Sequence, residues 1–117
     1  MNDLLHHFLE QRPWGTFEQF TLNESSTVKI ITVECGQAFS LQKHNHRSEF
    51  WKILSGEGFI THGETKEPLE VNKSYFLPEG TLHRIEATTS PVVFLEIAFG
   101  TFDETDIERL EDNYGRS

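Results

Sequence analysis

Short stretches of alternating apolar and polar residues follow one another through most of the chain. Between residues 16 and 99, runs rich in β-branched and aromatic side chains are separated by segments rich in Gly, Pro, Asn and Ser. Such runs are typical of strands and such separators of turns. Strands without a helical pattern between them predict an all-β jelly-roll sandwich or barrel. The predicted strands are TFEQFTL, TVKIITVE, FSLQ, EFWKIL, EGFITH, PLEV, SYFL, HRIEAT and VVFLEIAF.

Both ends of the chain have a different pattern. Residues 1–12 predict a short N-terminal helix or arm, because their apolar residues recur at helical spacing before Pro13. Residues 13–117 are expected to form one domain. Within it, residues 103–112 predict a C-terminal helix that Asp103 caps, with acidic residues in the first turn. The N-terminal apolar stripe consists of Leu4, Leu5, Phe8 and Leu9.

Composition narrows the possible partners and locations. The chain has 117 residues and a net charge of −9, which disfavours binding to nucleic acid and to anionic membranes. No apolar run approaches the roughly 20 residues that span a bilayer. The first residues lack the basic start and apolar stretch of a signal peptide. Cys35 has no second cysteine to pair with, so we expect a cytoplasmic protein.

The stretch LQKHNHRSEFW, residues 41–51, places metal-binding side chains on a predicted strand. Alternation puts Gln42, His44 and His46 on one face. Glu49 then opens the next strand, and His83 begins another strand after a Pro-Gly turn. Imidazoles and a carboxylate together favour one divalent transition metal ion. This donor set accepts Zn, Mn, Fe, Co and Ni, so the identity of the metal stays open.

These segments resemble the two sequence motifs of the cupin superfamily. The first motif is carried by Gly36, His44, His46, Glu49 and Gly56, and the second by Pro78, Gly80 and His83. The resemblance implies a double-stranded β-helix, that is, a small jelly-roll barrel with a metal inside. It also implies that the metal ligands are His44, His46, Glu49 and His83.

A narrower resemblance extends from Arg12 to Arg116. RPWGTFE, SLQKHNHRSEFW, LPEGTLHRIE and LEDNYGR look like the type II phosphomannose isomerase domain, often the C-terminal part of a bifunctional guanylyltransferase. This implies interconversion of mannose 6-phosphate and fructose 6-phosphate, and a homodimer formed through an edge strand or an exchanged arm. The chain departs from the family pattern at four positions, which are Phe50, Asn72, Ala87 and Ala98.

Such an isomerase needs groups besides the metal. A base must carry a proton between two sugar carbons, and Glu96 is a candidate because it is the only charged residue of its strand. The alternative is that Glu96 faces outward from an amphipathic strand. Gln42 is a candidate for binding a sugar hydroxyl, and Trp51 and Tyr75 either line the pocket or belong to the core. The candidate phosphate ligands in the family-like segments are Arg12, Arg47, Arg84 and Arg116.

Three hypotheses about function remain open from the sequence. The first is a metal-dependent mannose-6-phosphate isomerase acting on a small sugar phosphate. The second is another metal enzyme on the same scaffold, such as an oxygenase, because one fold serves many chemistries. The third is a non-catalytic cupin that binds a carbohydrate. Metal-dependent turnover, oxygen consumption and binding without turnover distinguish the three.

Overall fold

The computed structural model describes residues 4–103 and 105–115, and every regular element in them is a β-strand. No helix in this part of the chain is long and apolar enough to cross a membrane. The strands are β1 (Phe8–Arg12), β2 (Gly15–Gln19), β3 (Thr27–Val33), β4 (Leu41–Lys43), β5 (Arg47–Ser55), β6 (Gly58–His62), β7 (Thr65–Pro68), β8 (Ser74–Leu77), β9 (His83–Ala87), β10 (Val92–Gly100) and β11 (Glu108–Glu111).

Two antiparallel sheets pack face to face and confirm the predicted jelly-roll architecture. One sheet has the order β3-β10-β5-β8, and the other has the order β11-β4-β9-β6-β7. Apolar side chains from the inner faces of both sheets fill the space between them, as alternation along each strand requires. The fully buried core side chains include Trp51, Ile53, Ile60, Leu77, Ile85, Val92 and Phe94.

Of the two predictions for residues 1–12, a helix or an arm, the helix is wrong, because Phe8–Arg12 form a strand. β1 pairs with β2 in register from Phe8↔Gln19 to Arg12↔Gly15, so Pro13 and Trp14 are the two-residue turn of a hairpin. Proline is favoured at the first central position of type I and type II turns, because its ring fixes φ at about −65°. The tight turn brings the following strand back along β1, and the predicted boundary at residue 12 falls at this turn.

The predicted C-terminal helix is also wrong. β11 lies in this segment and pairs antiparallel with β4. An isolated helix of about ten residues is only marginally stable in water, whereas pairing with β4 satisfies the backbone of both strands. Asp103 does not cap a helix; its side chain accepts hydrogen bonds from the backbone and hydroxyl of Thr105.

The predicted strand PLEV starts too late in the chain. β6 and β7 pair in register from His62↔Thr65, which leaves Gly63 and Glu64 as the turn. Gly63 has φ +60°, the conformation that glycine adopts at the first central position of a tight hairpin turn. The strand therefore begins directly after this turn, in a segment whose polar residues predicted a loop.

Candidate metal centre

Strand alternation and register bring four side chains with functional groups to the inner face of the four-stranded sheet. Arg47, Glu49 and Trp51 alternate along β5 and are all buried. On the neighbouring strand, Ala98 lies opposite Glu49 and Glu96 lies opposite Trp51. Residues directly opposite each other share a face. Carboxylates, an indole and a guanidinium therefore lie side by side inside the barrel.

A backbone hydrogen bond between the two cupin-like motifs places the histidines. The Gly80 amide donates to the His44 carbonyl oxygen at 2.7 Å, and Gly80 has φ +78°, which a glycine adopts without steric cost. His83 begins β9 three residues later and lies opposite Gln42 of β4. The Pro-Gly turn therefore fixes His83 beside the end of β4, where His44 lies.

His44, Glu49 and His83 form one buried cluster. The Nε2 atoms of His44 and His83 each lie 3.6 Å from a different oxygen of Glu49, and the candidate ligand atoms all lie within 4.8 Å of one another. Bonds of about 2.0–2.2 Å to a tetrahedral ion separate its ligand atoms by about 3.4 Å. The cluster therefore fits a divalent transition metal ion with little movement.

Both imidazoles present the same nitrogen to this cluster. His44 Nδ1 donates to the Asp106 carbonyl oxygen at 2.6 Å, and His83 Nδ1 donates to the Thr81 carbonyl oxygen at 3.1 Å. A carbonyl oxygen only accepts, so each Nε2 is the unprotonated nitrogen and carries a lone pair. Burial lowers the pKa of His44, and burial followed by the neighbouring His44 lowers the pKa of His83 to about 3. Both rings are therefore neutral at pH 7, the form that binds metals.

Arg47 pairs with the cluster in this structure. Its Nε donates to Glu49 Oε2 at 3.0 Å, and its Nη2 donates to His44 Nε2 at 3.1 Å. Nη1 donates to the Asp103 carbonyl oxygen at 3.3 Å, and the guanidinium lies 4.3 Å from the centre of the Phe102 ring. Because Nη2 uses the lone pair of His44, an ion can bind His44 only when Arg47 turns away.

Glu96 faces the barrel interior and is 6% exposed, so the alternative of an outward-facing Glu96 does not hold. Trp51 Nε1 lies 3.2 Å from Glu96 Oε1 and 3.2 Å from Glu49 Oε1, and donates to both carboxyl groups. Burial, and then the adjacent Glu49, raise the pKa of Glu96 to about 7. Glu96 therefore gains and loses its proton near neutral pH, as a proton carrier must.

The structure places His46 outside the cluster. β4 ends at Lys43, and Asn45 and His46 form a bend that breaks the alternation expected from the sequence. His46 is exposed. The prediction that it is the fourth ligand stays a prediction, and it requires the side chain to turn inward.

The remaining predicted substrate-binding residues have different surroundings. Gln42 is half-buried and lies opposite His83, with its side-chain oxygen 2.7 Å from the Ser40 hydroxyl. Arg84 instead holds the C-terminal segment, donating to the Phe39 carbonyl oxygen at 2.8 Å and to Glu111 at 3.0 Å. Gln42 is thus beside the cluster and Arg84 is not part of it. Of the other two candidate phosphate ligands, Arg12 is exposed and pairs with Glu10, and Arg116 lies outside the described residues.

Sequence patterns missed Asp106, which organises the loop of the first histidine. Its two carboxylate oxygens accept hydrogen bonds from the Asn45 and His46 amides, each at 2.9 Å, and its carbonyl oxygen holds His44. Hydrogen bonds from the Asn45 and His46 amides lower the pKa of Asp106. The acidic composition of this segment predicted a helix, and nothing in it indicated a partner about 60 residues earlier in the chain.

Two departures from the family pattern lie close to the site. Phe50 faces away from Glu49, as alternation predicts, and packs against the rings of His7 and Phe20 at centroid distances of 5.1 and 5.8 Å. Its apolar character therefore suits a contact with the N-terminal segment. Ala98 is 2% exposed and lies opposite Glu49, so its short side chain is directly beside the candidate ligands.

Comparisons with known proteins agree with the family resemblance of the sequence motifs. Residues 2–112 match the family described as mannose-6-phosphate isomerase C-terminal. The xanthan biosynthesis protein XanB of Xanthomonas campestris is 39% identical over 108 residues, which cover 91% of this chain and 23% of XanB. The mannose-1-phosphate guanylyltransferase RfbM of Salmonella typhimurium is 37% identical over 118 residues, which cover 99% of this chain and 25% of RfbM. The chain therefore spans about a quarter of the length of these relatives.

Solved structures support the fold. A cupin protein from Bacteroides fragilis superimposes with a TM-score of 0.59 and 27% identity, covering 69% of this chain and 75% of that protein. A Klebsiella pneumoniae protein with a double-stranded β-helix domain gives a TM-score of 0.65 at 18% identity, covering 77% and 78% of the two chains. The chain belongs to the mannose-6-phosphate isomerase C-terminal family and has the cupin fold.

Proposed function

We propose that this domain binds one divalent transition metal ion and interconverts mannose 6-phosphate and fructose 6-phosphate. The observation that carries the proposal is the buried pair of Nε2 lone pairs, on His44 and His83, that face the two oxygens of Glu49. His83 Nε2 has no hydrogen-bond partner within the described part of the chain. Buried polar atoms without partners are rare in folded proteins, and a bound ion satisfies this one. His46 is the proposed fourth ligand.

The proposed chemistry needs a stabilised oxyanion and a proton carrier. A bound divalent ion supplies the first, because it stabilises negative charge on the sugar carbonyl oxygen as the C–H bond breaks. Glu96, in its carboxylate form, takes the proton from carbon 2 of mannose 6-phosphate and returns it to carbon 1, while the hydroxyl proton on the carbon-2 oxygen passes to the carbon-1 oxygen. Trp51 Nε1 donates to Glu96 and Glu49 alike, and so holds the carrier beside the ligand carboxylate.

Arg47 links ion binding to phosphate binding in this proposal. Arg47 contacts Glu49 and His44 at 3.0 and 3.1 Å in this structure, and its guanidinium would have to leave both side chains if they held an ion. The displaced guanidinium keeps its charge and its forked donors, which suit a phosphate group. Gln42, beside His83, is proposed to bind a sugar hydroxyl. The role of Arg84 in substrate binding is indirect, since it holds the C-terminal segment.

The test is an isomerase assay after the protein has been stripped of metal and reloaded with single divalent ions. The proposal predicts conversion of mannose 6-phosphate that returns with the added ion and is lost again with a chelator. A protein that binds one ion per chain and turns over no mannose 6-phosphate contradicts the isomerase. Oxygen consumption with an iron-loaded protein would favour the second metal-enzyme hypothesis instead.

A homodimer and a cytoplasmic location are proposed with this function. The dimer has support in exposed apolar side chains on the N-terminal hairpin, where Leu9 is 69% and Trp14 is 73% exposed. On the edge strand β3, Ile30 is 67% exposed. Single exposed apolar residues are ordinary, but Val28, which is 57% exposed, shares a face of β3 with Ile30, and an apolar pair on an open sheet edge favours contact with another chain.

A further inference from the structure

A polar cavity outside the metal cluster lies where the edges of the two sheets meet. It has a volume of about 220 Å³ and lies between β8, the last strand of the four-stranded sheet, and the β6–β7 hairpin of the other sheet. We call it the seam pocket. Its lining residues are His62, Glu67, Lys73, Ser74, Tyr75 and Phe76.

Two polar atoms in the wall of the seam pocket lack partners. Tyr75 is 5% exposed, and its hydroxyl makes no hydrogen bond within the described residues. His62 Nε2 is also buried and lies 3.7 Å from Glu67 Oε2, beyond hydrogen-bond distance. Since buried polar groups are normally satisfied, these two atoms indicate that the pocket takes a ligand with hydrogen-bonding groups.

The same two residues are the immediate neighbours of the candidate metal centre. His62 lies opposite His83 across the β6–β9 pair, and Tyr75 lies opposite Trp51 across the β5–β8 pair. Side chains directly opposite in a sheet have Cβ atoms about 4.5–5.5 Å apart. The ring centres of His62 and Tyr75 are 5.4 Å apart, and those of Trp51 and His83 are 5.1 Å apart. The seam pocket is therefore one layer of side chains from the metal cluster.

The charges in the seam pocket disfavour an anionic ligand. Lys73 Nζ lies 3.0 Å from Glu67 Oε1 and 3.3 Å from Glu70 Oε2, so two carboxylates surround one ammonium. Burial, with a further contribution from Glu67, raises the pKa of Tyr75, which keeps its hydroxyl neutral at pH 7. This mixture of donors and acceptors, without an excess of positive charge, matches hydroxyl groups, each of which both donates and accepts.

We infer that the seam pocket binds hydroxyl groups of a sugar at a site of its own, separated from the metal cluster by one layer of side chains. The identity of the sugar rests on the proposed function. The volume of about 220 Å³ is below the roughly 300–1,000 Å³ of pockets that enclose a whole ligand, so the pocket holds a part of one. The Tyr75 hydroxyl and His62 Nε2 contact the sugar, and Glu67 and Lys73 bind further hydroxyls.

The test is a titration of the full, metal-stripped chain with mannose, followed by NMR of the tyrosine and histidine side chains. Mannose carries the hydroxyls without the phosphate. We expect signals of Tyr75 and His62 to shift, and Tyr75→Phe to weaken mannose binding about three- to tenfold, as loss of one neutral hydrogen bond implies. Tyr114→Phe is the matched control, because it removes the other tyrosine hydroxyl of the chain, beside Gln37. The control is expected to bind mannose like the unaltered protein.

Each other outcome overturns the inference. An unchanged mannose affinity in Tyr75→Phe, or no mannose binding by the unaltered protein, removes the seam pocket as a sugar site. Shifts of Tyr75 and His62 caused by inorganic phosphate alone would make it an anion site instead. Failure of the isomerase is distinguishable, because mannose binding that depends on the Tyr75 hydroxyl would then persist without turnover of mannose 6-phosphate.

Discussion

The second nitrogen of a histidine decides whether its ring can serve as a metal ligand. In His44 and His83 that nitrogen donates to a backbone carbonyl, so the other nitrogen keeps a lone pair inside the barrel. His62 lies opposite His83 in the sheet, yet its Nε2 faces the carboxylate of Glu67 instead. Residue spacing indicated which histidines belong to the motif, and the backbone carbonyls determine which nitrogen is available.

Removing one imidazole tests this account of the ligands. His83→Ala is expected to lower metal affinity by more than about 100-fold, because loss of a mere hydrogen-bond partner of a ligand already costs about 10–100-fold. Isothermal titration with zinc or cobalt measures the change. His62→Ala is the control, since it removes the neighbouring imidazole and is expected to leave metal affinity unaltered. Equal affinity in His83→Ala and the unaltered protein would remove His83 from the ligands.

Glu96 gives the stability of the metal-stripped protein a dependence on pH. Its pKa is about 7 in the folded protein against 4.5 as the ordinary value, so the protonated form favours folding. This contribution is full below pH 4.5 and is lost as the pH rises through 7. Glu96→Gln, which stays neutral, is expected to be more stable than the unaltered protein at pH 8, by on the order of 1–3 kcal/mol. Urea unfolding at pH 5 and pH 8 measures this, and an equal difference at both pH values would contradict it.

Among the elements, those with strict alternation were predictable and those defined by a distant partner were not. β5 and β10 have alternating or continuous apolar runs, which predict strands directly. β11 has the acidic composition of a helix start, but its partner is β4, and no local pattern contains that information. Glu96 is a similar case, because alternation alone leaves two possible faces, and the pairing of Glu96 with Trp51 selects the inner one.

The segment before β11 is expected to control the metal site from a distance. Asp106→Asn removes the charge that accepts from the Asn45 and His46 amides. We expect faster amide exchange at those two residues and about tenfold weaker metal binding, since the loop that carries His44 loosens. Hydrogen exchange and zinc titration measure the two effects. Glu79→Gln, in an exposed turn, is the control for lost charge, and identical behaviour of both variants would contradict this role.

At the scale of the whole molecule, the N-terminal hairpin stands apart from the barrel. Its strands pair only with each other among the described strands, and the molecule measures 50 × 33 × 22 Å along its principal axes. Contact with the sheet is made by His7 and Phe20, which flank the hairpin strands and pack against Phe50, and by Glu18 of β2, which pairs with Lys52 of β5. The hairpin therefore offers two faces, and only part of that surface is covered within one chain.

The proposed homodimer is testable at the exposed edge strand β3. We expect light scattering to give the mass of two chains, and Ile30→Lys to shift the protein towards a monomer, because it places a charge on the exposed edge strand. Glu24→Lys, which adds positive charge at an exposed position outside the strands, is the control for added charge. A monomer in the unaltered protein would contradict the dimer.

The most direct measurement follows mannose 6-phosphate in heavy water with the metal-loaded protein, by NMR. The account predicts conversion to fructose 6-phosphate with deuterium at carbon 1, because the proton passes through a side chain that exchanges with solvent. It also predicts that Glu96→Gln binds the ion equally well and loses both conversion and deuterium uptake. Unchanged mannose 6-phosphate, with one ion bound per chain of the unaltered protein, would contradict the isomerase.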